Sequence, residues 1–154
     1  MTSRDVCFGG VTPILRVADF ERSVAYYSEV LGFDLKWRVG NFGCVRRDDA
    51  ELMLSEGTQG CSRTWLWLAV SDSDALHAEL RARGAHIRNP PTNYPWGSRE
   101  LHVFDADGHV LRLGSEALPG EPMGAWLDEQ GDRWLPDEEG NWIKEGSRAP
   151  RPIP

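Results

Sequence analysis

Two stretches decide the fold: ILRVADFERSVAYYSEVLGF (residues 14–33) and TWLWLAVSDSDALHAEL (residues 64–80). In each, a short apolar segment ends in a valine, Val17 or Val70. Two residues later an aspartate, Asp19 or Asp72, stands where a helix N-cap belongs. Phe20, Val24, Tyr27, Val30 and Leu31 recur at helical spacing, and Gly32 supplies the stop. Leu76, Leu80 and neighbouring alanines form the second stripe, which Gly84 closes.

Strand-like pieces follow each helix. After the first they span roughly 33–39, 42–47 and 51–56; after the second, roughly 85–89, 99–104 and 109–114. The last two are joined by Asp105-Ala106-Asp107-Gly108, a tight-turn sequence. With Val11–Val17 and Thr64–Val70 as leading strands, the pattern predicts an α+β fold of two βαβββ modules, about residues 10–60 and 61–116. Together they would form a curved mixed sheet with the helices on its convex face, leaving a groove on the other.

Residues 117–154 read differently, as an acidic tail beyond a domain of residues 1–116. Tryptophans recur every eight residues at Trp126, Trp134 and Trp142, in the octets WLDEQGDR, WLPDEEGN and WIKEGSRA. A β-hairpin is predicted around 133–143, and Arg148–Pro154 reads as a frayed end. Three octets are too few to stand alone. The tail therefore needs the main domain, or a second subunit, to bury its rings.

Composition narrows the function classes. The chain has 154 residues, 40% hydrophobic and 27% charged, with 17 basic and 24 acidic side chains for a formal charge of -7. That describes a folded, water-soluble domain and argues against a general nucleic-acid binder, which needs a basic face. No apolar run approaches the roughly 20 residues that span a bilayer, and MTSRDVCFGG has no signal-peptide core, so a cytoplasmic protein is expected. Cys7, Cys44 and Cys61 form no CxxC pair, which points away from disulfide frameworks and cysteine zinc sites. Residues 116–154 hold nine acidic and four basic side chains, so most of the net charge belongs to the tail. There is no G-x-S-x-G, P-loop or G-x-G-x-x-G motif, and Cys61 has no base near it in sequence. His77 and His86 read as surface residues.

Over about residues 10–116 the double module resembles the vicinal oxygen chelate superfamily of glyoxalases, extradiol dioxygenases and bleomycin-resistance proteins. The segments VTPILRVAD, FGCVRRDDAELML, TWLWLAV and PWGSREL, followed by DADGH, place the resemblance in the bleomycin-resistance branch. Metal-dependent members take His, Glu or Gln ligands five residues before the valine of each leading strand and three residues after the DxDGH turn. Here those positions hold Thr12, Trp65 and Arg112. Threonine is a poor ligand, tryptophan offers no lone pair and arginine is a permanent cation. No metal and no cofactor are therefore expected, with Glu100 and His102 as the alternative pair for an ion elsewhere.

Period-2 alternation shows which side chains share the groove face. Trp65, Trp67, Glu100, His102, Phe104, Val110 and Arg112 fall on it in the second module, and Thr12, Ile14 and Arg16 in the first. Trp37, Phe42 and Tyr94-Pro95-Trp96 are candidate rims. Such a wall suits a flat, heteroaromatic ligand, because rings stack and charged groups orient. The same residues also suit aromatics that fill the concave side or a dimer interface, with Arg112 and Glu100 as an ion pair.

The resemblance implies a homodimer whose first strands exchange about Pro13. It also implies sequestration of a small aromatic ligand, either a bleomycin-type antibiotic or another natural product. The ligand set is Thr12, Arg16, Trp37, Phe42, Trp65, Trp67, Trp96, Glu100, His102 and Arg112. Two other readings stay open. One is a lyase or isomerase using Glu100 and His102 as acid and base; the other is a protein-interaction module acting through the Trp-rich tail.

Overall fold

The structure, a computed structural model, describes residues 5–146 and 150–151. The chain forms two compact units whose boundary falls between Ser62 and Arg63.

The first unit runs β1 (Ile14–Arg16), α1 (Phe20–Glu29), β2 (Asp34–Val39), β3 (Phe42–Arg47) and β4 (Ala50–Ser55). Its sheet order is β1-β4-β3-β2, with β1 parallel to β4 and the other pairs antiparallel. Asp19 caps α1 by accepting from the backbone N–H of Arg22 at 3.0 Å. Gly32, at a φ of 74°, turns the chain back so that Phe33 N–H reaches Tyr27 O at 2.8 Å. Leu15, Phe20, Tyr27, Phe33, Val45, Leu52 and Leu54 form the core between helix and sheet. β1 is shorter than the predicted 11–17. Val11 is exposed, and ladder pairing starts only past Pro13, which has no N–H to give.

The second unit repeats the plan: β5 (Trp65–Ala69), α2 (Ser73–Ala82), β6 (Ile87–Asn93), β7 (Ser98–Phe104) and β8 (Val110–Glu116), in sheet order β5-β8-β7-β6. Asp72 caps α2 by accepting from Asp74 and Ala75 N–H. Ser73 Oγ lies 2.8 Å from Arg99 O and 3.0 Å from Leu113 O, fixing the helix start over β7 and β8. The eight strands thus bond as two mixed sheets of four, each with one helix, in the α+β plan the two stretches predict.

The tail forms a further antiparallel sheet rather than a lone hairpin. It comprises β9 (Trp126–Leu127), β10 (Arg133–Pro136), β11 (Trp142–Lys144) and β12 (Pro150–Arg151), in the order β12-β11-β10-β9. The predicted hairpin is its β10–β11 pair. Pro150–Arg151 pair with β11, so this part of the expected frayed end is an edge strand, where a proline is tolerated. Residues 147–149 and 152–154 lie outside the described residues.

One turn design recurs three times. Asp105 Oδ1 accepts from Asp107 and His109 N–H, Asp128 Oδ1 from Gln130 and Asp132, and Asp137 Oδ1 from Glu139 and Asn141, all at 2.8–3.0 Å. Each turn has a glycine at positive φ three residues after the aspartate: Gly108, Gly131 or Gly140. Two of these turns space the tail's tryptophans. Trp126 pairs across the ladder with Trp134, and Trp142 with Pro136, two residues from Trp134, so all three indoles lie on one face of the meander.

Asn93 ties this meander to its own unit. Its Nδ2 donates to Leu118 O (2.9 Å) and Glu121 O (3.2 Å), and its Oδ1 accepts from Leu118 N–H (3.1 Å). The second sheet is therefore packed by α2 on one face and partly covered by the tail on the other, where Trp67 and Trp96 stay exposed. That is why the neighbours Leu101 and His102 are both fully buried.

Candidate functional site

The second unit brings together the six residues of the expected ligand set that it carries: Trp65, Trp67, Trp96, Glu100, His102 and Arg112. Register places Trp67 beside Arg112 and Arg112 beside His102, in one row across β5, β8 and β7. Glu100 stands one step along β7, opposite Gly114. A Cβ on Gly114 would lie 2.6 Å from Trp67 Cζ2, so the missing side chain gives the indole its space.

Glu100 is fully buried and is the hub. Its Oε1 accepts from Trp67 Nε1 (3.1 Å), Trp96 Nε1 (2.7 Å), Ser98 Oγ (2.6 Å) and Arg112 Nη2 (3.0 Å). Its Oε2 accepts from Arg112 Nε (2.8 Å) and lies 2.9 Å from His102 Nε2. Burial opposes its charge, but the bonds from His102, Arg112, Ser98 and Trp96 outweigh it and hold the carboxyl far below the usual carboxylate range. His102, also fully buried, is pushed below its ordinary value by burial, against the pull of Glu100. A neutral imidazole with its proton on Nε2, facing the carboxylate, satisfies both. Its Nδ1 is then a buried acceptor without a protein partner among the described residues.

The rings above this hub come from both the sheet and the tail. Trp126 stacks on Trp65 (centroids 5.9 Å apart, 28° between planes) and meets His102, Tyr94 and Trp96 edge-on at 5.4–5.7 Å. The Arg112 guanidinium sits 5.0 Å from the Trp126 ring and 5.4 Å from Trp96. Trp142, almost fully buried, closes against Trp96. Tyr94 is buried beneath, and its hydroxyl, bonded by Asn89 Nδ2 at 2.7 Å, is pushed up by burial to about 12. The expected open wall is therefore partly filled by the protein's own tail, and Arg112 with Glu100 is an ion pair.

Beside these rings lies a cavity of about 360 Å³ lined by Trp65, Trp126, Trp134, Asp128, Glu129 and Gln130. Arg88 lies 4.7 Å from the Trp65 ring and donates to Asp128 O at 2.7 Å. Trp134 Nε1 donates to Asp128 Oδ2 at 2.8 Å. Burial works against the Asp128 charge, yet this bond and the backbone N–H groups of its turn hold the carboxyl below its usual range.

The remaining expected residues lie on the first unit. Trp37 and Phe42 pair with ring centroids 5.6 Å apart, Thr12 is half-buried, and exposed Arg16 donates from Nη2 to Thr58 O at 2.7 Å. Pro13 O accepts from Met53 N–H next to β1. Of the three positions that hold ligands in metal-dependent members, Trp65 and Arg112 share the second unit's ring cluster and Thr12 belongs to the first unit. Among the described residues no group of three or more His, Cys, Asp or Glu side chains is gathered to hold an ion. At Glu100 and His102 a cation would meet the Arg112 guanidinium already bound to both carboxylate oxygens.

Residues 9–113 match the family described as Glyoxalase/Bleomycin resistance protein/Dioxygenase superfamily. The chain belongs to that superfamily. Its fold is similar to that of the bleomycin-binding protein from bleomycin-producing Streptomyces verticillus, solved with copper(II)-bleomycin. The two are 30% identical, with 73% of this chain and 99% of that one covered and a TM-score of 0.62. It is similar in fold to the bleomycin resistance determinant encoded on transposon Tn5, at 24% identity, 72% and 100% coverage and a TM-score of 0.62. The YraH protein of Bacillus subtilis (strain 168) is 25% identical over 117 residues, covering 64% of this chain and 91% of its own length. The family match stops short of the tail. Trp126, Trp134, Asp128 and Glu129 of the ring cluster and cavity are therefore additions beyond the superfamily domain.

Sequence reasoning missed Trp126 as part of the site, Asn93 as its fastener and Ser98 as a ligand of the carboxylate. The octet period identified the first as a ring seeking a surface but carried no address for it. Asn93 carries no pattern, and Ser98 lies inside PWGSREL without a mark that sets it apart as a partner of Glu100.

Proposed function

We propose that this protein binds a small aromatic natural product, of the bleomycin type or another class, and sequesters it without chemical change and without a metal. One observation carries the reading: the sheet face of β5, β7 and β8 already receives an aromatic ring. Trp126 lies there as a ligand ring would, stacked on Trp65, edge-on to His102 and under Arg112. The likeness to a structure solved with copper(II)-bleomycin supports the same class of ligand.

Glu100 and His102 speak for binding over acid–base chemistry. Each is fully buried, the carboxylate is surrounded by donors, and the imidazole proton on Nε2 is committed to it. The tail's indoles point at their own sheet, which speaks against an outward protein-docking role. Trp65, Trp67, Trp96 and Arg112 would hold the ligand's rings. On the first unit the corresponding groups are Thr12, Arg16, Trp37 and Phe42. A homodimer with strand exchange about Pro13, working in the cytoplasm, belongs to the same proposal. No described helix is long and apolar enough to cross a membrane.

A thermal-shift panel of aromatic antibiotics tests the reading. A true ligand at a hundredfold excess over its Kd adds about 2.7 kcal/mol, and Trp65→Ala should reduce that shift. A panel with no hit, or a hit indifferent to Trp65→Ala, would refute this site.

A further inference from the structure

We infer that the cavity between Trp65 and the tail selects organic cations: a flat ring system bearing a fixed positive charge. The inference rests on the reading of this cluster as an aromatic-ligand site and names the charge of what it takes. Three of the six lining residues are tryptophans, and the indole face is the best cation-binding surface among side chains. Two of these rings already meet a guanidinium within the protein. Trp65 carries the Arg88 guanidinium at 4.7 Å, and Trp126 carries that of Arg112 at 5.0 Å.

The lip supplies the counter-charge. Asp128 and Glu129 line the cavity, and Asp128 is held ionised by Trp134 Nε1 and by its turn's N–H groups. The nearby cations do not cancel this charge. Arg112 is matched by Glu100, and Lys144, which also acts on Asp128, by Asp132, which leaves Arg88 against Asp128 and Glu129 and a net negative lip. A neutral ring would gain only stacking in such a place. An anion would meet Asp128 and Glu129, while a cation gains from both rings and lip. The turn Asp128–Asp132 builds both features at once, because the carboxylate that shapes it also fixes Trp134. Nothing in the superfamily match extends to these residues, since it ends at residue 113.

Three probes of similar shape separate the possibilities on the full chain at pH 8: N-methylquinolinium (cation), quinoline (neutral) and naphthalene-2-sulfonate (anion). Binding is followed by tryptophan fluorescence. The expected order is cation over quinoline by tenfold or more, with the sulfonate weakest. Raising salt should weaken only the cation. Glu129→Gln, at an exposed turn position, should cut the cation-to-quinoline ratio severalfold while quinoline affinity holds. Equal binding of quinoline and N-methylquinolinium would overturn the charge selectivity and leave the aromatic site standing. Saturable binding by none of the three would overturn the aromatic site and the selectivity together.

Discussion

Trp126 lies stacked on Trp65, 5.9 Å between ring centroids, and joins a tail beyond the superfamily domain to the sheet that the domain supplies. The contact gives the tail its fold. A short meander of small strands is marginal by itself, and its tryptophan face needs a partner surface. Trp126→Ala should destabilise the protein by about 2–3 kcal/mol, below the range for a fully buried aromatic because Trp126 is half-buried. Urea unfolding would show this as a lower midpoint, with a red shift in tryptophan emission as Trp65 meets water.

Asn93 should matter more than its size suggests. Asn93→Ala removes three part-buried hydrogen bonds to the backbone of Leu118 and Glu121, at a cost of about 2–3 kcal/mol. Cleavage by a glutamate-specific protease after exposed Glu116, which Ala117 follows, should become at least severalfold faster than in wild type. Unchanged cleavage would show that the tail is held by its rings alone.

Gly114→Ala sets a new methyl 2.6 Å from Trp67 Cζ2, so the indole must move off Glu100. The expected cost is about 1–2 kcal/mol, from one lost charge-assisted bond and some overpacking. Proton NMR of the indole N–H groups checks it, because the resonance of Trp67 should shift upfield while that of Trp96 stays hydrogen-bonded.

The Glu100–His102 pair dictates an acid-sensitive fold. His102 is held below its ordinary value of about 6.5, so the unfolded chain binds its proton first and stability falls as pH drops below that value. His77, lowered by burial and by Arg81, adds to the same window. Glu100 is held far below its ordinary value of about 4.3. Its contribution is complete above that pH and is lost as pH falls further. The melting temperature should thus decline in two stages below pH 6.5, and His102→Gln should flatten the first in a His77→Asn background. A flat profile from pH 7 to 5 in wild type would contradict the burial of a neutral His102.

The module plan was legible because its signals are local. Asp19 and Asp72 cap, Gly32 and Gly84 stop, and the strand pieces follow the two-residue alternation that put Trp67, Glu100 and Arg112 on one face. Alternation could not say whether that face was open. Its cover, Trp126, lies 61 residues after Trp65 in sequence and is placed by the Asn93 clamp, which has no sequence signature. The same gap explains Glu100, which alternation alone makes a groove-facing acid. It is buried because five side chains from β5, β7, β8 and the turn before β7 converge on it.

The central claim is binding without chemistry, and one measurement meets it head-on. Metal-free bleomycin is titrated against wild-type protein and against Trp65→Ala by intrinsic tryptophan fluorescence, and the compound is then recovered and weighed by mass spectrometry. The account predicts saturable binding in the micromolar range or tighter, weaker in Trp65→Ala, with the bleomycin mass unchanged. Absence of saturable binding in wild type would contradict the bleomycin form of the claim, and a recovered product of altered mass would contradict sequestration itself.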